Sequence, residues 1–401
     1  MLIVNLNPLR MGAPWAYAIS VVFRAEAKSQ KRPVHMHQTR KTVSHWVGWR
    51  LTPAIPAIIL AIGLALPSSS VMARNPANVV LNNTPTGLVV GGITVSPKND
   101  SVYVAAYAPT SGLPSHLVVI NAYFGTITAD LPLTGQAEAV DVAISPDGRR
   151  VFVTNFVSGT VAIVATARNA VIGTLSVGPY PFGLAVSPDG KELWVANSGS
   201  TPLFNNGTVS VYDIATRKPI ALINVGGSPT QVVFDKTGKV AFALNQHLPG
   251  FVSVIDAATR EIKNANFAAG IVKNPLGFGE AILPGDTSLY VDNQFATINN
   301  LLVKNGTLKN VVTVFPTSVP PSLQGLGQPV ITRDGKFLYV ANPSLNQVSW
   351  ATTENDLAQQ LSPISVSPGS VPVTLAVSPD DTRLYVGNSG NGLVTQIDIA
   401  H

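Results

Sequence analysis

One short motif, repeated seven times at nearly constant spacing, limits what this 401-residue chain can fold into. Each copy places a Ser-Pro-Asp-Gly type of turn after an apolar stretch, then a strand that ends aromatic-Val-x-Asn. The clearest copies are Ser145-Pro146-Asp147-Gly148 before Phe152-Val153-Thr154-Asn155, and Ser187-Pro188-Asp189-Gly190 before Trp194-Val195-Ala196-Asn197. Thr332-Arg333-Asp334-Gly335 precedes Tyr339-Val340-Ala341-Asn342, and Ser378-Pro379-Asp380-Asp381 precedes Tyr385-Val386-Gly387-Asn388. Fainter copies open at Ser96-Pro97, Asp235-Lys236 and Leu283-Pro284. The second turn residues are 42 to 49 positions apart, and the residue seven further on is always apolar: Val104, Val153, Val195, Ala243, Val291, Val340 and Val386. A fixed internal offset with variable spacing means rigid hairpins joined by loops that tolerate insertion.

Pro at the first corner and Gly at the end of the turn suit a tight connection. The flanking segments are rich in Val, Ile and aromatics, as a packed pleated surface favours. Third strands are expected near Thr208–Ile214, Val252–Asp256 and Val394–Ile399. Fourth strands are expected near Ala170–Val177 and Pro219–Val225. Residues 74–401 shared among seven copies give about 47 residues each, the size of a four-stranded propeller blade. The expected fold is therefore all-β: a seven-bladed β-propeller of four-stranded antiparallel blades. The last copy has only three strands before His401, while the strand-like Asn78–Leu81 precedes the first copy. That N-terminal strand is expected to close the last blade and remove an open edge.

The strand endings and turns resemble the YVTN-repeat β-propellers, among them the YncE-like exported proteins. The resemblance covers about residues 74–401. It implies the fold and an exported setting, but not one activity. Surface-layer proteins, periplasmic nucleic-acid binders and, among related propellers, lactonases share the architecture.

The net charge of +5 is unevenly spread. Residues 1–73 hold eight basic side chains and one acid, which leaves 18 basic against 20 acidic residues in 74–401. The body thus lacks the broad basic footprint of a nucleic-acid binder. Residues 51–73 are uncharged, and the apolar run Pro53–Leu66 is too short to span a membrane. Val71-Met72-Ala73 fits a signal-peptidase site. The expected organisation is 1–35 as a non-native extension with the true start at Met36, 36–73 as a signal peptide, and 74–401 as the propeller. The expected location is periplasmic or secreted. With no Cys in the chain, disulfides and thiolate chemistry are excluded.

Candidate site residues lie at the channel mouth. The Asn that ends the second strand recurs as Asn155, Asn197, Asn245, Asn293, Asn342 and Asn388, with Ala106 in the first copy. Such a repeated residue reads as structural, each amide bonding its own turn. The rows just before each turn vary in type. Ile93, Val142, Leu184, Val232, Glu280, Pro329 and Leu375 form one row expected to face the mouth. Gly92, Asp141, Gly183, Gln231, Gly279, Gln328 and Thr374 form the row before it. Asp141, Gln231, Glu280 and Gln328 are the polar candidates. Long insertions at Ser198–Gly207, Gln294–Lys309 and Pro316–Gln328 add Phe204 and Phe295. The first two are expected to extend second-to-third-strand loops.

These features point to a non-catalytic binding module for a ligand, peptide or envelope component, without a cofactor, as a monomer. A lactonase-like hydrolase is the alternative; it would need a divalent cation held by oxygen ligands such as Glu280, Asp141 and ring amides. His116, His247 and His401 are the histidines of the body, and they do not cluster in sequence. Single-stranded nucleic-acid binding is a third reading, supported by the resemblance and opposed by the charge.

Overall fold

The computed structural model describes residues 78–399 apart from 109, 111–112, 200–205, 247–249, 269–279, 283–287, 294–296, 305–306, 314–326, 354–358 and 361–362. The expected extension and signal peptide therefore lie outside the described residues, as do Phe204, Phe295, His247 and His401.

The strands follow the repeats. After β1 (Val79–Pro85) come β2 (Val89–Val95), β3 (Ser101–Tyr107), β4 (Ser115–Asn121) and β5 (Ile127–Leu133), the first blade. The second is β6 (Ala139–Ile144), β7 (Arg150–Asn155), β8 (Thr160–Ala165) and β9 (Ala170–Ser176). The third is β10 (Pro181–Val186), β11 (Glu192–Asn197), β12 (Thr208–Asp213) and β13 (Pro219–Asn224). The fourth is β14 (Pro229–Phe234), β15 (Val240–Asn245), β16 (Phe251–Asp256) and β17 (Ile262–Ala268). Next come β18 (Glu280–Ile282), β19 (Ser288–Asn293), β20 (Thr297–Lys304) and β21 (Thr307–Thr313). A five-stranded sheet follows: β22 (Pro329–Ile331), β23 (Phe337–Asn342), β24 (Gln347–Thr352), β25 (Gln359–Gln360) and β26 (Ile364–Ser365). The last sheet is β27 (Pro372–Val377), β28 (Arg383–Asn388), β29 (Leu393–Asp398) and β1.

The protein is an all-β propeller of four-stranded antiparallel blades. Six sheets have four strands; in the other, the outer position is split between β25 and β26, which both pair with β24. Innermost strands β2, β6, β10, β14, β18, β22 and β27 touch in that order, and β27 touches β2. Strand β1 pairs antiparallel with β29 from Val79–Asp398 to Pro85–Leu393. It is longer than Asn78–Leu81, because Asn82, Asn83 and Thr84 continue the ladder. Thr84 Oγ1 donates to Gly125 O at 2.6 Å and Thr395 Oγ1 to Asn83 Oδ1 at 2.6 Å, so polar side chains do what apolar ones do elsewhere.

Gln294–Lys309 is not a long loop. It holds β20 and the start of β21, so the link from β19 to β20 is only residues 294–296. The Asn305-Gly306 pair between two β-rich runs was the overlooked hairpin signal.

Side chains alternate along each second strand, and both faces are buried. Val102, Val104 and Ala106 pack toward the last blade with Tyr385 and Val394, while Tyr103 and Ala105 pack toward the second blade with Val142, Val151 and Val153. The core thus lies between blades. This is why these strands read as unbroken apolar runs, and why Trp194, Tyr339 and Tyr385 are fully buried.

The repeated turns explain their own motif. Ser145 Oγ donates to Asp147 Oδ1 at 2.5 Å and accepts the Arg150 N–H at 3.0 Å; Gly148 N–H closes the turn onto Ser145 O at 2.8 Å. The same pattern holds at Ser187, Thr332 and Ser378. At Asp235 the roles are exchanged: Thr237 donates to Asp235, which accepts the Val240 N–H. The closing residue has φ from +56° to +75° at Asn99, Gly148, Gly190, Gly238, Gly335 and Asp381, which favours Gly, Asn or Asp. Adjacent turns also touch. A Cβ on Gly148 would lie 3.5 Å from Pro97 Cδ, and one on Gly190 3.5 Å from Pro146 Cδ.

Candidate functional site at the channel mouth

The site is built at the end of the inner strands away from the turns. In β2, β6, β10, β14 and β27 the pairing with the second strand slips near the start of the inner strand. In β6, for example, Ala139 faces Asn155 and Asp141 faces Thr154, which leaves Val140 unpaired. Bulges of this kind re-aim the side chains beside them. Here they decide what Asp141, Gln231 and Thr374 face.

The residue that enters the inner strand is strained in three blades: Glu138, Tyr180 and Val371 have φ of +56°, +52° and +50°. A β-branched residue at positive φ is unusual, and such strain gathers where surrounding structure holds a working surface. Aromatic rings lie at the same seam. The Phe156 centroid is 5.1 Å from Tyr180 and 6.0 Å from Phe182.

Asp141 sits half-buried at the same seam between the second and third blades. Its Oδ1 accepts the Val142 N–H at 2.8 Å, and its Oδ2 accepts the Leu184 N–H at 3.2 Å from the next blade. Thr154 Oγ1 accepts the Asp141 N–H at 3.1 Å and donates to Phe182 O at 2.7 Å. Burial pushes the Asp141 carboxyl up to about 7, against the two N–H donors that favour the charged form. A Cβ on Gly92 would lie 2.7 Å from Asp141 Cα, and one on Gly183 2.6 Å from Gln231 Oε1. Glycine is thus what lets the polar row fit between neighbouring inner strands.

Gln231 is buried, and Gln328 accepts the Thr374 hydroxyl at 3.1 Å. The neighbouring row does not line the mouth. Ile93, Val142, Leu184, Val232 and Leu375 are 1–5 % exposed and pack between blades. Glu280 pairs with Val291, the register that Val142 shares with Val153, so its backbone occupies a position that is core in other blades. Alternation is the reason: pairing is regular from Asp141 to Ile144, so Asp141 and Val142 point to opposite faces of the blade.

The Asn ring lies at the opposite end of the second strand from the Ser-Pro-Asp-Gly turn, so these amides do not bond that turn. Asn197 Nδ2 donates to Ser210 Oγ at 2.8 Å, and Asn245 Nδ2 to Ser253 Oγ at 3.0 Å, both on the third strand. Asn155 Nδ2 donates to Val153 O at 3.2 Å. Asn388 donates to Thr395 Oγ1 at 3.0 Å and Leu393 O at 2.9 Å, so three of these four reach across their hairpin to the third strand and Asn155 does not. Asn342 is buried; the Asn293 side chain lies outside the described ones. A Cβ on Gly178 would lie 2.6 Å from Asn197 Cγ, so the incoming connection passes directly over the amide.

His116 Nδ1 lies 2.7 Å from Asp130 Oδ1 on the outer half of the first blade, away from Asp141. Among the described residues, no three His, Cys, Asp or Glu side chains gather as a metal site. Glu138, Phe156, Tyr180 and Phe182 were missed from sequence, although Tyr180-Pro181 and Val371-Pro372 mark a recurrent entry into the inner strand.

No family model matches the chain. The uncharacterized protein YwhL of Bacillus subtilis (strain 168) is 26% identical over 218 residues, 53% of this chain and 44% of that protein. The chain therefore spans under half the length of this curated relative. Hydrazine synthase of Kuenenia stuttgartiensis superposes with a TM-score of 0.64 at 20% identity, over 84% of this chain and 99% of that one. At that identity the likeness carries the fold alone.

Proposed function

We propose that the chain is an exported, seven-bladed propeller of the YVTN-repeat type that acts as a binding module, with its ligand at the channel mouth. The five-stranded sheet is counted as one of the seven blades. The observation that supports this reading most is the coincidence, at one end of the inner strands, of repeated bulges, strained entry residues and a varied polar row. A purely structural ring has no need of Asp141, Gln231 and Gln328 at equivalent places. Rigid scaffold with variable positions is how recognition surfaces are built.

Export rests on the sequence of residues 51–73. Sequencing the N-terminus of the protein recovered from its host tests it: cleavage after Ala73 is expected, and a product that retains residues 51–73 overturns it. Binding is tested by an unbiased ligand screen of the recovered protein against the Gln231→Ala variant. A ligand lost in the variant with unchanged melting supports the reading. Ligands that bind both proteins equally move the site elsewhere.

A further inference from the structure

The seam between the second and third blades carries a carboxylate without a counter-ion. Asp141 bonds two backbone N–H groups, and no charged side chain acts on it. The strands packed against β6 are β2, β3, β7 and β10; their one described charged residue is Arg150, at the far end of β7, and β3 adds the phenols of Tyr103 and Tyr107, both held up by burial. Arg150 is spent on Ile214 O at 3.0 Å. Glu138, the nearest acid in sequence, precedes β6 and is itself held up by burial. A buried charge left without a partner is costly, and a ligand cation would relieve that cost. The second feature of the seam is independent: the rings of Phe156, Tyr180 and Phe182 cluster where the chain enters β10. Thr154 bonds both the Asp141 N–H and Phe182 O, so carboxylate and aromatics share one rigid frame.

We infer that this seam receives an alkylammonium group, its charge meeting Asp141 and its methylenes lying against Phe156, Tyr180 and Phe182. Aromatic faces attract such cations, and their edges and faces cover the chain. The inference rests on the reading of the mouth as a binding site.

The probe is 1,4-diaminobutane, titrated calorimetrically into the full recovered protein in two buffers of different ionisation enthalpy. Binding is expected, with proton release at pH 6 and none at pH 8, because a bound cation favours the charged carboxylate. Asp141→Asn keeps an acceptor for the Leu184 N–H and should weaken binding at least tenfold. Tyr180→Ala, which leaves the Asp141 hydrogen bonds in place, should weaken it several-fold and decides the matter if Asp141→Asn does not fold. Equal affinity in both variants, or binding without proton release at pH 6, overturns the inference. If the diamine does not bind, and a neutral or anionic ligand from the screen depends on Gln231 but not on Asp141, the inference falls and the binding reading stands. If nothing binds at the mouth, both fall.

Discussion

Arg260 Nη2 meets Glu192 Oε1 at 2.5 Å, and its guanidinium lies 5.2 Å over the Trp194 ring. Glu192 also accepts the Trp194 indole N–H at 3.0 Å. Arg260 belongs to the link between the third and fourth strands of the fourth blade, whereas Glu192 and Trp194 open the second strand of the third. The contact therefore staples one blade to the next. Three other arginines do the same through carbonyls: Arg150 reaches Ile214 O, Arg217 reaches Ile172 O and Arg383 reaches Ala122 O.

Arg260→Ala should cost about 2–4 kcal/mol of stability, because it leaves Glu192 half-buried without its ion partner and uncovers the indole. Arg260→Lys should recover only part, since an ammonium cannot both lie flat on the indole and hold the Glu192 contact. Urea unfolding of the two variants checks this; equal midpoints for Lys and Ala would assign the whole effect to the stacked fork.

Removing residues 79–85 should destabilise the ring cooperatively. It strips β29 of its outer partner and removes the Thr84–Gly125 and Asn83–Thr395 bonds. The exposed edge should also promote association. Melting and sedimentation measure both effects. A monomer with unchanged melting would mean that closure does not depend on β1.

Asn388→Ala should cost about 1–2 kcal/mol by orphaning partners inside the last blade. Asn155→Ala, which loses one long bond, should cost less. Chemical denaturation gives the order, and the reverse order would show that hydrogen bonds do not set the value of this ring.

The pH dependence of stability should carry Asp141's signature. Its folded carboxyl titrates near 7, above the ordinary carboxylate range. Its contribution is fully present below the unfolded value and is lost as pH rises through about 7. Asp147 and Asp189 act in the opposite sense: hydrogen bonds from Ser145 and Ser187 hold them low, so their contribution is lost as pH falls. The stability of Asp141→Asn relative to the native protein should therefore rise between about pH 4 and 7 and then level off. A difference that stays flat across this window would place the titration elsewhere.

The blade pattern was legible in the sequence because its causes are local. Ser145, Pro146, Asp147 and Gly148 make their turn among themselves, and alternation along Phe152–Asn155 buries both faces whatever lies beyond. The missing outer strand of the last blade could also be counted. Site geometry was not legible to the same degree. Asp141 was found because its row varies in type from blade to blade, but Glu280, from the adjacent row, was grouped with it as a polar candidate. Which of two adjacent rows packs between blades is a matter of how neighbouring blades meet, not of one segment. The Asn amides were given to the wrong partner for a similar reason: Ser210 and Ser253 come alongside only when the third strand folds back. Glu192 and Arg260 are 68 residues apart, and Phe156 meets Tyr180 across a blade boundary. Short-range chemistry specified the blades, while the closing of the ring decided which side chains face one another, because those contacts exist only between blades.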